Sequence, residues 1–263
     1  PTKGPCVECP WCKHTFPPGT VYESVEKLEA SLQKKKNPAS NGDRETPLAP
    51  GSPPVEQKGK LAPIASRVLI NMLWAARLAR FDLVRAVCHL AQRVTKWTLE
   101  CDRRLQRLVG YMAYSKHLRT VGWVGDELGA VKPQLFADAD FGGCSDTQRS
   151  TSGLHFVVMG PNTNCPINGI SKRQGCVSHS TPEAEMVSMS HALRHCGLPC
   201  LDLWHALLPH KPGLVVHEDN QAMIKVVETG RNPTMRYIGR THGVSVSWLH
   251  ERFKSKDLSL IHI

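Results

Sequence analysis

Three acidic residues stand where the chain changes from one kind of local structure to another. Asp138 follows the apolar run in "VKPQLFADAD", Glu185 lies in the first turns of the segment opened by "STPEAEM", and Asp219 separates "GLVVHE" from "NQAMIKVV". Acids on separate rigid elements suit Mg2+, which keeps several waters and phosphate oxygens and takes only a few protein carboxylates. Two such ions about 3.5–4 Å apart support in-line hydrolysis of a phosphodiester. Singly, each acid also has a structural use. Asp138 and Asp140 lie two apart on a strand and share a face, so one can be a helper or a turn acid. Glu183 and Glu185 are about 200° apart on a helix, so only one faces a site, and Glu183 is the better capping residue. Asp219 fits an N-cap with Asn220 as its neighbour. Their joint placement on three elements favours the chemical role. Asp138, Glu185 and Asp219 are therefore the expected catalytic acids and the ligands for Mg2+ or Mn2+.

The elements that must position them run from 131 to 263. "VKPQLFADAD", "SGLHFVVMG" and the short "NGISKRQ" alternate as strands, with Cys165 and Pro166 leaving the start of the third open. A helix begins in "SHSTPEAEM", where Ser180 or Thr181 caps, Pro182 occupies the first turn and Glu183 completes a capping box. "GLVVHED" is a buried-looking strand, "NQAMIKVVETG" a helix closed by Gly230, "RTHGVSVSWLHERFK" a further helix and "DLSLIHI" a last strand. This order is that of an α/β domain with the three acids at strand ends and a helix start.

Upstream, apolar residues recur at three and four from Leu61 to His117, which predicts helices. Between Lys60 and Arg119 stand twelve Lys/Arg against three acids, so most of the chain's net charge of +10 sits there. Such a face either meets phosphates or is simply solvated. Residues 30–60, rich in Lys, Pro, Gly and Ser, read as a linker, and 1–59 as a disordered arm. That arm carries Cys6, Cys9, Cys12 and His14 in "CVECPWCKH", a set that either completes a Zn2+ site or is only a cysteine-containing tail. Ten unevenly spaced cysteines favour intracellular thiols, without separating cytoplasm from nucleus. No apolar run of about 18 residues and no signal pattern occur, so no membrane partner is expected. The start at Pro1 rather than Met reads as a fragment or a processed piece.

The segments "FADADFGGCSDTQRSTSG", "SKRQ", "STPEAEM" and "HEDNQAMI" resemble, in that order, the ribonuclease H domain at the end of the polyprotein of copia-type long-terminal-repeat retrotransposons. "RFDLVRAVCHLAQRVTKWTLECDRRLQRLVGYM" is similar to the helical end of the adjoining reverse transcriptase. The resemblance spans roughly 60–263 and implies a ribonuclease H-like five-stranded mixed sheet flanked by helices over 131–263, preceded by the helical segment 60–119. It also implies Mg2+-dependent cleavage of the RNA strand of an RNA–DNA hybrid, with Asp138, Glu185 and Asp219 matching the first three family acids, and the rest of a reverse transcriptase as a possible partner. The family's fourth metal-binding Asp follows the fifth strand, beyond Ile263, so three acids are expected here. No Tyr-x-Asp-Asp stretch occurs, so this chain carries no polymerase centre. His242 matches a family His that contacts substrate or assists product release; the alternative is a partly buried His on a helix face. Arg149, Ser150, Thr151 and Ser152 suit phosphate contacts or an ordinary turn, and Lys172 and Arg173 a backbone contact or a charged sheet edge. Asn220, beside Asp219, joins the substrate-binding set. Two functions stand against each other: a ribonuclease H-type hydrolase, and a truncated remnant that binds nucleic acid without cutting it. A zinc-binding arm doing the chain's main work is a third.

Overall fold

The computed structural model describes residues 57–208 and 210–263, with Val7, Glu8, Thr15 and Phe16. Two compact units are present. In Pro1–Pro54, the two-residue strands Val7–Glu8 and Thr15–Phe16 pair antiparallel. Cys6, Cys9, Cys12 and His14 lie outside the described residues.

The second unit, Val55–Ile263, opens with helices α1 (Ala62–Ala79), α2 (Val84–Ala91) and α3 (Leu99–Tyr114). Ala65, Leu69, Met72 and Ala76 recur at helical spacing on α1 and join Leu83, Val87, Trp97 and Leu105 in one apolar cluster. Buried Asp102 ties the start of α1 to α3. Its carboxylate accepts hydrogen bonds from the Trp97 indole (2.6 Å) and from the backbone N–H groups of Lys60 (2.6 Å) and Leu61 (3.1 Å). Asp102→Ala leaves these donors unpaired and is expected to cost about 2 kcal/mol, read as a lower urea midpoint.

Five strands, among the described residues, form the main sheet: β1 (Lys132–Asp140), β2 (Thr151–Gly160), β3 (Thr163–Arg173), β4 (Leu214–Glu218) and β5 (Leu258–His262). Their order is β3-β2-β1-β4-β5, antiparallel among the first three and parallel from β1 through β4 to β5. This is the ribonuclease H-like mixed sheet expected from the motifs. One face carries Leu135, Leu154, Phe156, Leu214 and Val216 and is covered by α4 (Thr181–Ala192), α6 (Gln221–Thr229) and α8 (Val246–Lys254). Phe81 and α2 lie on the other face, Phe81 packing over Gly169 and edge-on to His155 at 6.0 Å between ring centres. The helical segment is thus a layer of the same unit as the sheet.

Several local expectations are corrected. The third strand is longer than "NGISKRQ": β3 takes in Cys165 and Pro166, with a register shift opposite Phe156 and Val157. As the sheet edge, β3 tolerates a residue with no N–H to donate. The helix from Ser180 passes through a π turn at Leu193–Gly197 into α5 (Leu198–Leu207). The wider turn accommodates Pro199, which lacks an N–H and crowds the preceding turn. Gly197 lets the helix approach the sheet, since a Cβ there would sit 2.9 Å from Leu214 and 3.0 Å from Leu135. The expected helix over 240–254 is broken. α7 (Ile238–Thr241) ends at His242, Gly243 is left-handed at φ 68°, and Ser245 caps α8 by accepting from Trp248 N–H. Among the described residues no helix is long and apolar enough to cross a membrane.

Candidate active site

β1 and β4 are adjacent and parallel, so their C-terminal ends lie side by side and bring Asp138 next to Asp219. Helix α4 adds Glu185. It starts against the sheet because Ser180 accepts from Glu183 N–H (3.3 Å) while Glu183 accepts from His179 N–H (2.9 Å). One turn on, Ser188 Oγ reaches the carbonyl oxygens of Asp138 (2.6 Å) and Gly153 (3.1 Å), pinning α4 to β1 and β2. The carboxylates of Asp138, Glu185 and Asp219 consequently converge, with one oxygen from each lying within 4.8 Å of the others.

The bland alternatives for these acids separate cleanly. Asn220, not Asp219, caps α6, its side-chain oxygen accepting from Met223 N–H at 3.0 Å. Asn220 thus uses its side-chain oxygen to cap the helix, which leaves its amide NH2 as the group for the expected substrate contact. Glu183 caps α4 and faces His242 at 3.4 Å. Asp140 pairs with Arg85 at 2.7 Å and stays out of the trio.

Electrostatically the site crowds carboxyl groups together, which favours their protonated forms. Burial, then the nearby charges of Glu218, Asp138 and Asp219, push the Glu185 carboxyl up to about 8. Glu218 is the residue that the motif reading missed. It is fully buried, its pKa raised by that burial to about 7, and one oxygen accepts from Asn220 N–H at 3.1 Å. The second oxygens of Glu185 and Glu218 have no hydrogen-bond partner. Alternation along "LVVHE" carried the signal, because Glu218 shares a face with buried Leu214 and Val216. The trio, with an unpartnered oxygen on Glu185, offers oxygen donors of the kind a divalent cation takes.

The other expected site residues are placed as follows. The His242 side chain is 1% exposed against Glu183 and has no free face for a substrate; the close of α7 before Gly243 turns it inward. Ser150, Thr151 and Ser152 are buried, not presented to phosphates. Ser150 Oγ accepts from Gly142 N–H and Ser152 Oγ from the Gln174 amide, so they hold the β1–β2 turn and the end of β3. Lys172 is exposed on the edge strand, while Arg149 and Arg173 are half-buried.

No family model matches the chain. A mitochondrial protein of Arabidopsis thaliana, described as uncharacterized, is 32% identical over 119 residues, covering 45% of this chain and 47% of that protein, so the chain spans about half the length of this relative. Secreted RxLR effector protein 161 of Plasmopara viticola is 31% identical over 115 residues, 44% of this chain and 76% of that protein. Ribonuclease H1 of the archaeon Halobacterium salinarum NRC-1 matches 50% of this chain and 85% of its own at 14% identity and a TM-score of 0.35. Sheet order and converging acids define a ribonuclease H-like domain. The chain belongs to the family of the Plasmopara viticola protein, and its motifs resemble those of the ribonuclease H end of a copia-type retrotransposon polyprotein.

Proposed function

We propose that this chain is a ribonuclease H module that hydrolyses the RNA strand of RNA–DNA hybrids, with Mg2+ or Mn2+ held by Asp138, Glu185 and Asp219. The observation that carries the reading is the convergence of three carboxylates from β1, α4 and the end of β4 within 4.8 Å. When bound, the ions would supply Lewis-acid stabilisation at the phosphoryl oxygens and an activated water. Exposed Asp138 and Asp219, with buried Glu185 on the Ser188-anchored α4, would hold the metal. The exposed Lys172, with Arg149 and Arg173, would contact the backbone without reading sequence. A hybrid has A-like geometry and is told from duplex DNA by its 2′-hydroxyls. The remaining reverse transcriptase is the proposed partner, and the compartment intracellular.

The test is cleavage of an end-labelled RNA–DNA hybrid in Mg2+ or Mn2+, with Asp219→Asn alongside. Cutting of the RNA strand that requires metal and disappears in the variant supports the nuclease. Salt-sensitive binding with no cutting in either metal replaces it with a nucleic-acid-binding remnant.

A further inference from the structure

Between α2 and the sheet lies a cleft of about 270 Å3, lined by Phe81, Val84, Arg85, Asp138, Asp140 and Gly153 among others. It shares Asp138 with the carboxylate trio, so a strand whose phosphodiester sat at the trio would border it. The floor beside Asp138 is Gly153, its partner across β1 and β2, where a glycine leaves room for a backbone to approach. The wall belongs to the helical segment, and its charged member is Arg85.

Arg85 donates through one terminal nitrogen to Asp140 at 2.7 Å. The pair is half exposed on both sides, 47% for Arg85 and 49% for Asp140. Ion pairs so exposed are held weakly, and guanidinium keeps further N–H donors suited to a phosphate. Arg93 and Asp146, at 3.0 Å, make a second link between the helical segment and the β1–β2 turn.

We infer that Arg85 is a phosphate-binding residue contributed by the helical segment to the nuclease cleft, held ready by Asp140 and released to a backbone phosphate when nucleic acid enters. This rests on the ribonuclease H reading for the direction of the strand. The helical segment then shapes the substrate path, and Asp140 tunes affinity instead of ligating metal.

The experiment measures binding of a labelled RNA–DNA hybrid to the whole chain in EDTA across a salt series, so that no cleavage is required. Arg85→Ala is expected to weaken binding about tenfold and to reduce the salt slope by about one phosphate contact. Asp140→Ala is expected to tighten binding when Arg85 is present and to have no effect in the Arg85→Ala background. Equal effects of Asp140→Ala in both backgrounds, or an unchanged affinity in Arg85→Ala, overturn the inference. Arg85→Lys, which keeps the charge but loses the fork, serves if Arg85→Ala does not fold, and is expected to fall between wild type and Ala. A chain that cuts hybrids but ignores Arg85 loses this subsite alone. One whose affinity follows Arg85 but never cuts loses the nuclease reading alone.

Discussion

Glu185→Gln is expected to lower metal-dependent hybrid cleavage about 1000-fold while raising the stability of the metal-free fold at pH 9. The two effects share one cause. Glu185 is 3% exposed, and among its neighbours are the carboxylates of Glu218, Asp138 and Asp219. Its charge is therefore costly unless a cation compensates it. Glutamine keeps the shape and removes the charge, so the metal-free protein gains on the order of 3 kcal/mol at a pH where the wild-type carboxyl is ionised. The same change removes a ligand, and losing a few kcal/mol of charge stabilisation in the transition state gives the stated fall in rate. Urea midpoints in EDTA at pH 9 and single-turnover cleavage in Mn2+ measure the two halves. A variant less stable than wild type in EDTA would mean that Glu185 is compensated by protein groups and that the trio is structural.

The second large effect is on pH. Without metal, stability is expected to fall steadily as pH rises from about 5 to about 8, the reverse of the usual carboxylate trend. Glu185 has an ordinary value of 4.5 and is raised to about 8 in the fold. Below the first value both folded and unfolded chains hold the proton. Between the two, the unfolded chain releases it while the folded chain retains it, so each rise in pH favours unfolding; above about 8 the loss is complete. Glu218, raised to about 7, adds to the slope over the lower part of the window. Because the two groups interact, their joint contribution is on the order of 4 kcal/mol and not the sum of two separate shifts. Unfolding in EDTA at half-unit pH steps should show the fall, and millimolar Mg2+ should flatten it by binding the charged site of the folded state. A flat profile in EDTA would show that water or protein donors already satisfy the buried acids. Glu218→Gln should remove part of the slope and draw the Glu185 titration down.

The trio itself was legible in the sequence because its signals are local. Strand alternation ends at Asp138, Ser180, Pro182 and Glu183 announce a helix that leaves Glu185 on the opposite side from its capping neighbour, and "HEDN" marks a strand giving way to a helix. The α/β order followed from the same punctuation. Tertiary packing decided the remainder. Period two gives a strand two faces without saying which is covered, so Ser150, Thr151 and Ser152 looked like turn hydroxyls open to phosphate until the close of the β1–β2 turn and the packing of α4 buried them. Glu218 was passed over because alternation along "LVVHE" does not say which face is covered, and only the closing of the core over the Leu214 and Val216 face buried it. Pro166 fits a strand only because β3 is an edge, a property of strand order. His242 turned inward because Gly243 takes a left-handed conformation and Glu183 waits across the fold. The basic helical segment showed its charge in the sequence. That Arg85 and Asp140, 55 residues apart, meet at the mouth of the site is decided by the packing of Phe81 and α2 on the sheet, a long-range contact that no local pattern encodes.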